Sequence, residues 1–212
     1  MTVRVLLVFA VTSLAGCAGH VDYVGPVAAS QGLNTITIAK PRDAVWKTAV
    51  PELGKRFFVI NNLDKDSGLI NVSYTGDPEA YVDCGRITSE VQNAAGKRNY
   101  EFAGSKADQF YETLAPGKPL VHIRRRMKLE GRVNLIFQAS SDSETTVTAN
   151  TKYVLTREQI AQVQPNGFPQ SASDTISFNT GSGGTFTPNS QGSSLLCVST
   201  GKLEAELLSA IQ

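Results

Sequence analysis

The chain has 212 residues, with 20 basic and 19 acidic side chains and 41% apolar residues. That apolar content supports one packed domain with appendages and excludes a disordered chain, and the near-zero net charge excludes nucleic-acid binding by blanket attraction. Two histidines and three cysteines exclude most metal sites and most histidine-based catalysis.

Arg4 precedes an unbroken apolar run from Val5 to Val11, followed by Leu14-Ala15-Gly16-Cys17. A charged start, a short apolar segment and small residues make a secretory signal over residues 1–16. The run is about half of the ~20 residues that span a bilayer as a helix. Leu14-Ala15-Gly16-Cys17 resembles the lipobox of bacterial lipoproteins. That resemblance implies cleavage before Cys17, diacylglycerol on its thiol and an acyl group on the new amino terminus. Each buried CH₂ contributes about 0.8 kcal/mol, so several chains hold a protein to a membrane. Ala18, where an aspartate would imply inner-membrane retention, implies the outer membrane facing the periplasm. Residues 1–16 contain Arg4 and no acid, which leaves 19 basic and 19 acidic side chains. Long-range attraction to anionic lipid is therefore not the targeting device.

Residues 17–33 are small, polar and turn-rich and read as a lipidated flexible tether; residues 34–212 read as one domain. Within it, Thr35 to Ile38 alternates as a strand. Pro41 and Asp43 open a helix whose stripe is Val45, Ala49 and Leu53, with Pro51 expected to kink or split it. Phe57 to Ile60 reads as a buried strand, Asp64 to Gly68 as a turn and Leu69 to Tyr74 as the returning strand. Residues 85–119 are polar with scattered aromatics and show only a short strand at Asn99 to Phe102. Leu120 to Ala139 alternates over its whole length, a long half-buried strand with a bend at Gly131. Thr145 to Leu155 returns, and Thr156 to Ile160 reads as a brief helical turn. Thr175 to Asn179 and Thr185 to Thr187 flank Gly181 to Gly184 as a loose hairpin. A helix capped by Ser199 or Thr200 closes the chain, with Leu203, Leu207, Leu208 and Ile211 inward and Glu204 and Glu206 toward solvent. The order implies an α+β fold: an antiparallel sheet with two helices on one face, of which the helix-grip arrangement is one version.

With Cys17 committed to lipid, Cys84 and Cys197 remain. In an oxidising compartment an even pair implies a disulfide; two buried thiols and a reactive pair are the alternatives. The alternation of β-structure places His122, Arg124, Arg126, Lys128 and Arg132 on one sheet face, a candidate anion-binding row for lipid headgroups, lipopolysaccharide phosphates or an acidic protein. The other reading is a solvated face with acidic partners. Arg125 points into the predicted core and needs a carboxylate or carbonyl partner. The glycine run lacks the lysine of a phosphate loop, Asp64 and Asp66 share a turn, and no cluster of metal ligands is evident. No cofactor is expected beyond the lipid on Cys17.

Ile36-x-Ile38, Ala44-Val45-Trp46, Phe57-Phe58-Val59-Ile60 and Asp64-Lys65-Asp66-Ser67-Gly68-Leu69-Ile70 resemble the first half of a BamC-type helix-grip domain. That family consists of lipoproteins of the outer-membrane barrel-assembly machinery. The sequence thus points to a non-enzymatic, membrane-anchored envelope module that binds an envelope protein or anionic lipid. A structural or accessory subunit of an assembly or secretion complex is the second reading, and a carboxylate-based enzyme the third.

Overall fold

The computed structural model describes residues 18–27, 34–56, 58–188 and 194–212. The signal 1–16 and Cys17 lie outside the described residues. The spine is a hairpin of β9 (Val121–Ser141) and β10 (Glu144–Val163), paired without a break from Thr145 opposite Ala139 to Val163 opposite Val121. Two strands flank each side, end to end. β2 (Thr35–Ile38) and β11 (Gln170–Asn179) pair successive stretches of β10, while β4 (Leu69–Gly76) and β8 (Asp108–Thr113) pair successive stretches of β9. β3 (Val59–Asp64) lies outside β4 and completes a seven-stranded antiparallel sheet.

The odd residues of β9, from Ile123 to Phe137, are buried and the even ones exposed beyond His122. This is the pattern of a sheet with one covered face. Helix α1 (Arg42–Gly54) covers the turn end of that face through Val45, Trp46, Ala49 and Leu53, and Trp46 meets Phe137 edge to face. Helix α2 (Lys202–Ser209) covers the middle, where Leu203 packs so close to Gly131 that a methyl there would lie 2.8 Å from Leu203 Cδ2. Two small sheets complete the cover: β12 (Gly183–Phe186) with β13 (Leu195–Ser199) and β5 (Val82–Asp83), and β1 (Ala18–Val24) with β6 (Arg86–Asn93) and β7 (Gly96–Ala103). The second packs on the far end of the spine around Phe102, Tyr111 and Ile123. The fold is therefore mostly antiparallel sheet with two short helices on one side.

Several expectations change. Residues 18–24, taken for tether, are strand β1, paired along its whole length with β6; residues 28–33 lie outside the description. Residues 85–119 hold three strands rather than one. Helix α1 runs on through Pro51 to Gly54. Phe57 is not described, and β3 is a half-exposed edge strand in which Ile60 turns inward and Val59 outward. Thr156 to Ile160 continues β10, because its inward polar residues have partners there: Arg157 makes two hydrogen bonds to Asp174 of β11 at 2.9 and 2.6 Å. β11 and β12 belong to different sheets, so the Gly-rich segment joins layers and does not close a hairpin. Gly201, not Ser199 or Thr200, holds the N-cap position of α2. Glu204 is buried and accepts hydrogen bonds from Tyr153 and Thr180, both at 2.7 Å. Burial, reinforced by the charge of Glu204, pushes the Tyr153 hydroxyl strongly up.

Candidate functional site

Cys84 and Cys197 form a disulfide. The antiparallel ladder between β5 and β13 brings it about: Asp83 stands opposite Val198, so Cys84, the residue after Asp83, faces Cys197, the residue before Val198. Both cysteines are fully buried, and the bond fastens the C-terminal strand to the start of the segment that leads into β6.

The five residues of the basic row do share the open face, but they divide into two groups. His122 Nε2 lies 3.0 Å from Glu112 Oε1, and Arg98 Nε donates to the other oxygen of the same carboxylate. Burial pushes the Glu112 carboxyl up, yet the hydrogen bond and charge of Arg98, with Tyr100 and His122, bring it below the usual value. Arg124 grips Asp108 with Nε at 3.0 Å and Nη2 at 2.7 Å, and Arg126 Nε lies 3.6 Å from the same carboxylate. The hydrogen bond from Arg124 is the main reason that the Asp108 carboxyl falls below its ordinary value, with the charges of both arginines adding to it. Glu158 stands opposite Arg126 in the register. The upper row is thus a solvated face with acids of its own. For His122, Arg124 and Arg126 the reading of a solvated face with acidic partners is the one that fits.

The lower row differs. Lys128 is exposed and makes no ion pair among the described residues. Arg132 has Glu130 only at 3.8 Å. Directly opposite Arg132 on β10 stands Lys152, also exposed and without an ion pair among the described residues. Two like charges facing across adjacent strands repel, and the exposed Glu130, 3.8 Å from Arg132, offsets this only in part. Beside them runs a row of amides. Asn61 donates to Asn71 at 3.0 Å, and Asn71 donates to Asn134 at 2.7 Å. Asn134 faces Asn150, which accepts from Asn34 at 3.1 Å. Each amide spends part of its capacity on its neighbour and keeps the rest for solvent or a ligand. Arg132, Lys152, Asn71, Asn134, Asn150 and Asn179 line a shallow groove of about 510 Å³.

Sequence reading found Arg132 and missed Lys152 and the asparagines. The signal was present: Thr146, Thr148, Asn150 and Lys152 alternate with the inward Val147, Ala149 and Tyr153. Only the register, set by the turn at 142–143, shows that Lys152 meets Arg132. Asp64 is spent locally, its Oδ1 accepting from the backbone N–H groups of Asp66 and Ser67 at 3.1 Å each. Arg125 does find a carbonyl, donating from Nη2 to Ala103 O at 3.3 Å beneath the Phe102 ring. Among the described residues, no three of His, Cys, Asp or Glu come together, and no helix is long and apolar enough to cross a membrane.

Comparison of the chain with protein-family models, with curated proteins and with solved structures gives no match.

Proposed function

We propose that this protein is a lipid-anchored envelope lipoprotein that works as a non-enzymatic binding module, holding an anionic, hydroxyl-rich envelope component on the open face of its sheet. The observation that carries the reading is the opposition of Arg132 and Lys152 beside the row of asparagines. A phosphate or carboxylate between the two cations would relieve their repulsion with charge-assisted hydrogen bonds. The amides of Asn71, Asn134 and Asn150 supply donors and acceptors of the kind that sugar hydroxyls require. The groove is wide and shallow, which suits a chain or headgroup lying along the sheet more than a small metabolite. Attachment through Cys17 supplies the location, and the periplasmic face of the outer membrane follows from Ala18.

Titration of phosphorylated glycolipid micelles into the protein tests the binding site. Arg132→Glu with Lys152→Glu abolishes binding at low salt, while Arg124→Glu, which has its own carboxylate partner, has a smaller effect. Equal losses from both would assign binding to general charge and sink the groove. Cys17→Ser tests the anchor by itself, since the variant leaves the membrane fraction if the lipobox is used.

An accessory role in an outer-membrane assembly complex is the second reading. The strand, helix and hairpin of residues 35–76, laid on the spine with the edge strand β3 left open, support it. A partner docking there would add to the β3 edge.

A further inference from the structure

The two ends of the spine differ in chemistry. The turn end carries the turns Asp64 to Gly68 and Ser141 to Glu144, with Asp64, Lys65, Asp66, Asp142 and Glu144. The other end gathers the start of β1, the β6–β7 turn, and the loops 114–120 and 164–169. These two loops contain no acid and one charged residue, Lys118. Prolines 116, 119, 165 and 169 stiffen them. Phe168 is 91% exposed at the tip of the second loop, with Val163 and Val21 at 40% and 42% nearby in the elements that end there. An open cavity of about 610 Å³ lies between β1 and the first loop, lined by Gly19, Val21, Leu114, Pro116, Pro119 and Val121.

The start of β1 is fixed at this end. Ala18 pairs with Gln92, and Gly19 packs so tightly on Leu114 that a methyl would meet its carbonyl oxygen at 2.1 Å. Cys17 is the next residue, one Cα step of about 3.8 Å away. The headgroup layer of each leaflet is roughly 5–8 Å thick. A lipid on Cys17 therefore leaves no tether between bilayer and domain.

We infer that the protein stands on the lipid surface with this end down, Phe168 and the proline-rich loops lying in the headgroup layer and the spine rising from it. The inference rests on the lipobox reading of Cys17. An aromatic ring, prolines and small apolar residues suit that layer. Lys118 meets anionic headgroups there, whereas Lys97 is paired with Glu90 at 3.0 Å, and the absence of acids from the two loops removes the repulsion that would oppose contact by them. The Arg132 and Lys152 groove then faces sideways, above the membrane.

The test uses full-length protein purified with its lipid and reconstituted in vesicles of phosphatidylethanolamine and phosphatidylglycerol. A fluorophore is attached to Asn166→Cys, beside Phe168, and in a second variant to Asp142→Cys at the other end. On reconstitution, iodide quenching at 166 falls several-fold and spin-labelled lipid quenches it, while the label at 142 stays open to iodide. Adding Phe168→Asp to the first variant restores iodide access at 166. The mass of the N-terminal peptide is read on the same samples. An N-terminus bearing lipid together with equal iodide access at 166 and 142 overturns the docking inference alone. An N-terminus without lipid overturns the anchor and the inference built on it.

Discussion

Arg125 offers the sharpest test of how this core is balanced. It is the one charged residue among the inward positions of β9 and is 1% exposed. Its guanidinium has one hydrogen bond to Ala103 O and the Phe102 ring at 5.1 Å, and its Nε has no partner. Burial, with the nearby positive charge of Arg157 adding to it, lowers its pKa from 12.5 to about 10. At about 1.36 kcal/mol per pH unit, holding the charge inside costs roughly 3 kcal/mol. The charged hydrogen bond and the cation–π contact return an amount of the same order, about 2–4 kcal/mol. Arg125→Met keeps an unbranched apolar stem and removes the charge, so its stability should equal the native value or exceed it by about 1–2 kcal/mol. Arg125→Ala leaves a cavity among Phe102, Tyr111 and Ile123 and should lose about 2–4 kcal/mol. Urea unfolding at neutral pH, followed by the fluorescence of the single tryptophan, Trp46, gives both numbers. If Arg125→Met loses as much as Arg125→Ala, the guanidinium is a net stabilising element and the balance above is wrong.

Three further outcomes are expected. Cys84→Ala opens a link across a sequence separation of 113 and should cost up to about 5 kcal/mol in the chain-entropy account; thermal unfolding of oxidised native protein and variant measures it, and equal midpoints would contradict that account. Gly104→Ala would set a methyl 2.2 Å from the backbone oxygen of Cys84, so a loss of about 2–3 kcal/mol and slower disulfide formation should appear in refolding assays. Asp108 and Glu112 both have lowered folded values, so their stability is fully present above the ordinary 3.8 and 4.5 and drains away as pH falls below them. Urea midpoints should decline below about pH 4.5, less steeply in Asp108→Asn, and a flat profile would remove these pairs from the account.

What could be read from the sequence depended on where polar residues are buried. The strand at 121–141 was plain because its inward slots are almost all apolar, and α1 and α2 announced themselves through Val45-Ala49-Leu53 and Leu203-Leu207-Leu208. The strands between 86 and 113 were hidden, since Ser89 and Glu112 occupy buried slots and their partners come from other strands. Ser89 donates to Glu112 O at 2.5 Å, and Arg98 reaches the Glu112 side chain. Arg157 misled in the same way, because Asp174 lies on the next strand. β1 was lost for a different reason: Gly19 and the alternating His20 and Asp22 look like tether when read alone, and only β6 makes them a strand. In the candidate site Arg132 was legible from alternation, but Lys152 and the asparagine row depend on a register that no single strand contains.

The placement of the last elements bears on how the chain acquires its structure while it is being made. β1 emerges first, yet its partner β6 follows some sixty residues later, and Cys84 cannot close its bond before Cys197 arrives. β13 and α2 come last and supply Leu195, Cys197, Leu203, Leu207 and Leu208 to the one large core. At synthesis rates of about 5–20 residues per second, the second cluster around Phe102, Tyr111 and Ile123 can form early, but the large core stays incomplete until the end of the chain. The topology thus leaves the one large core unfinished until the C-terminus is delivered, so the last thirty or so residues decide when the molecule becomes fully folded.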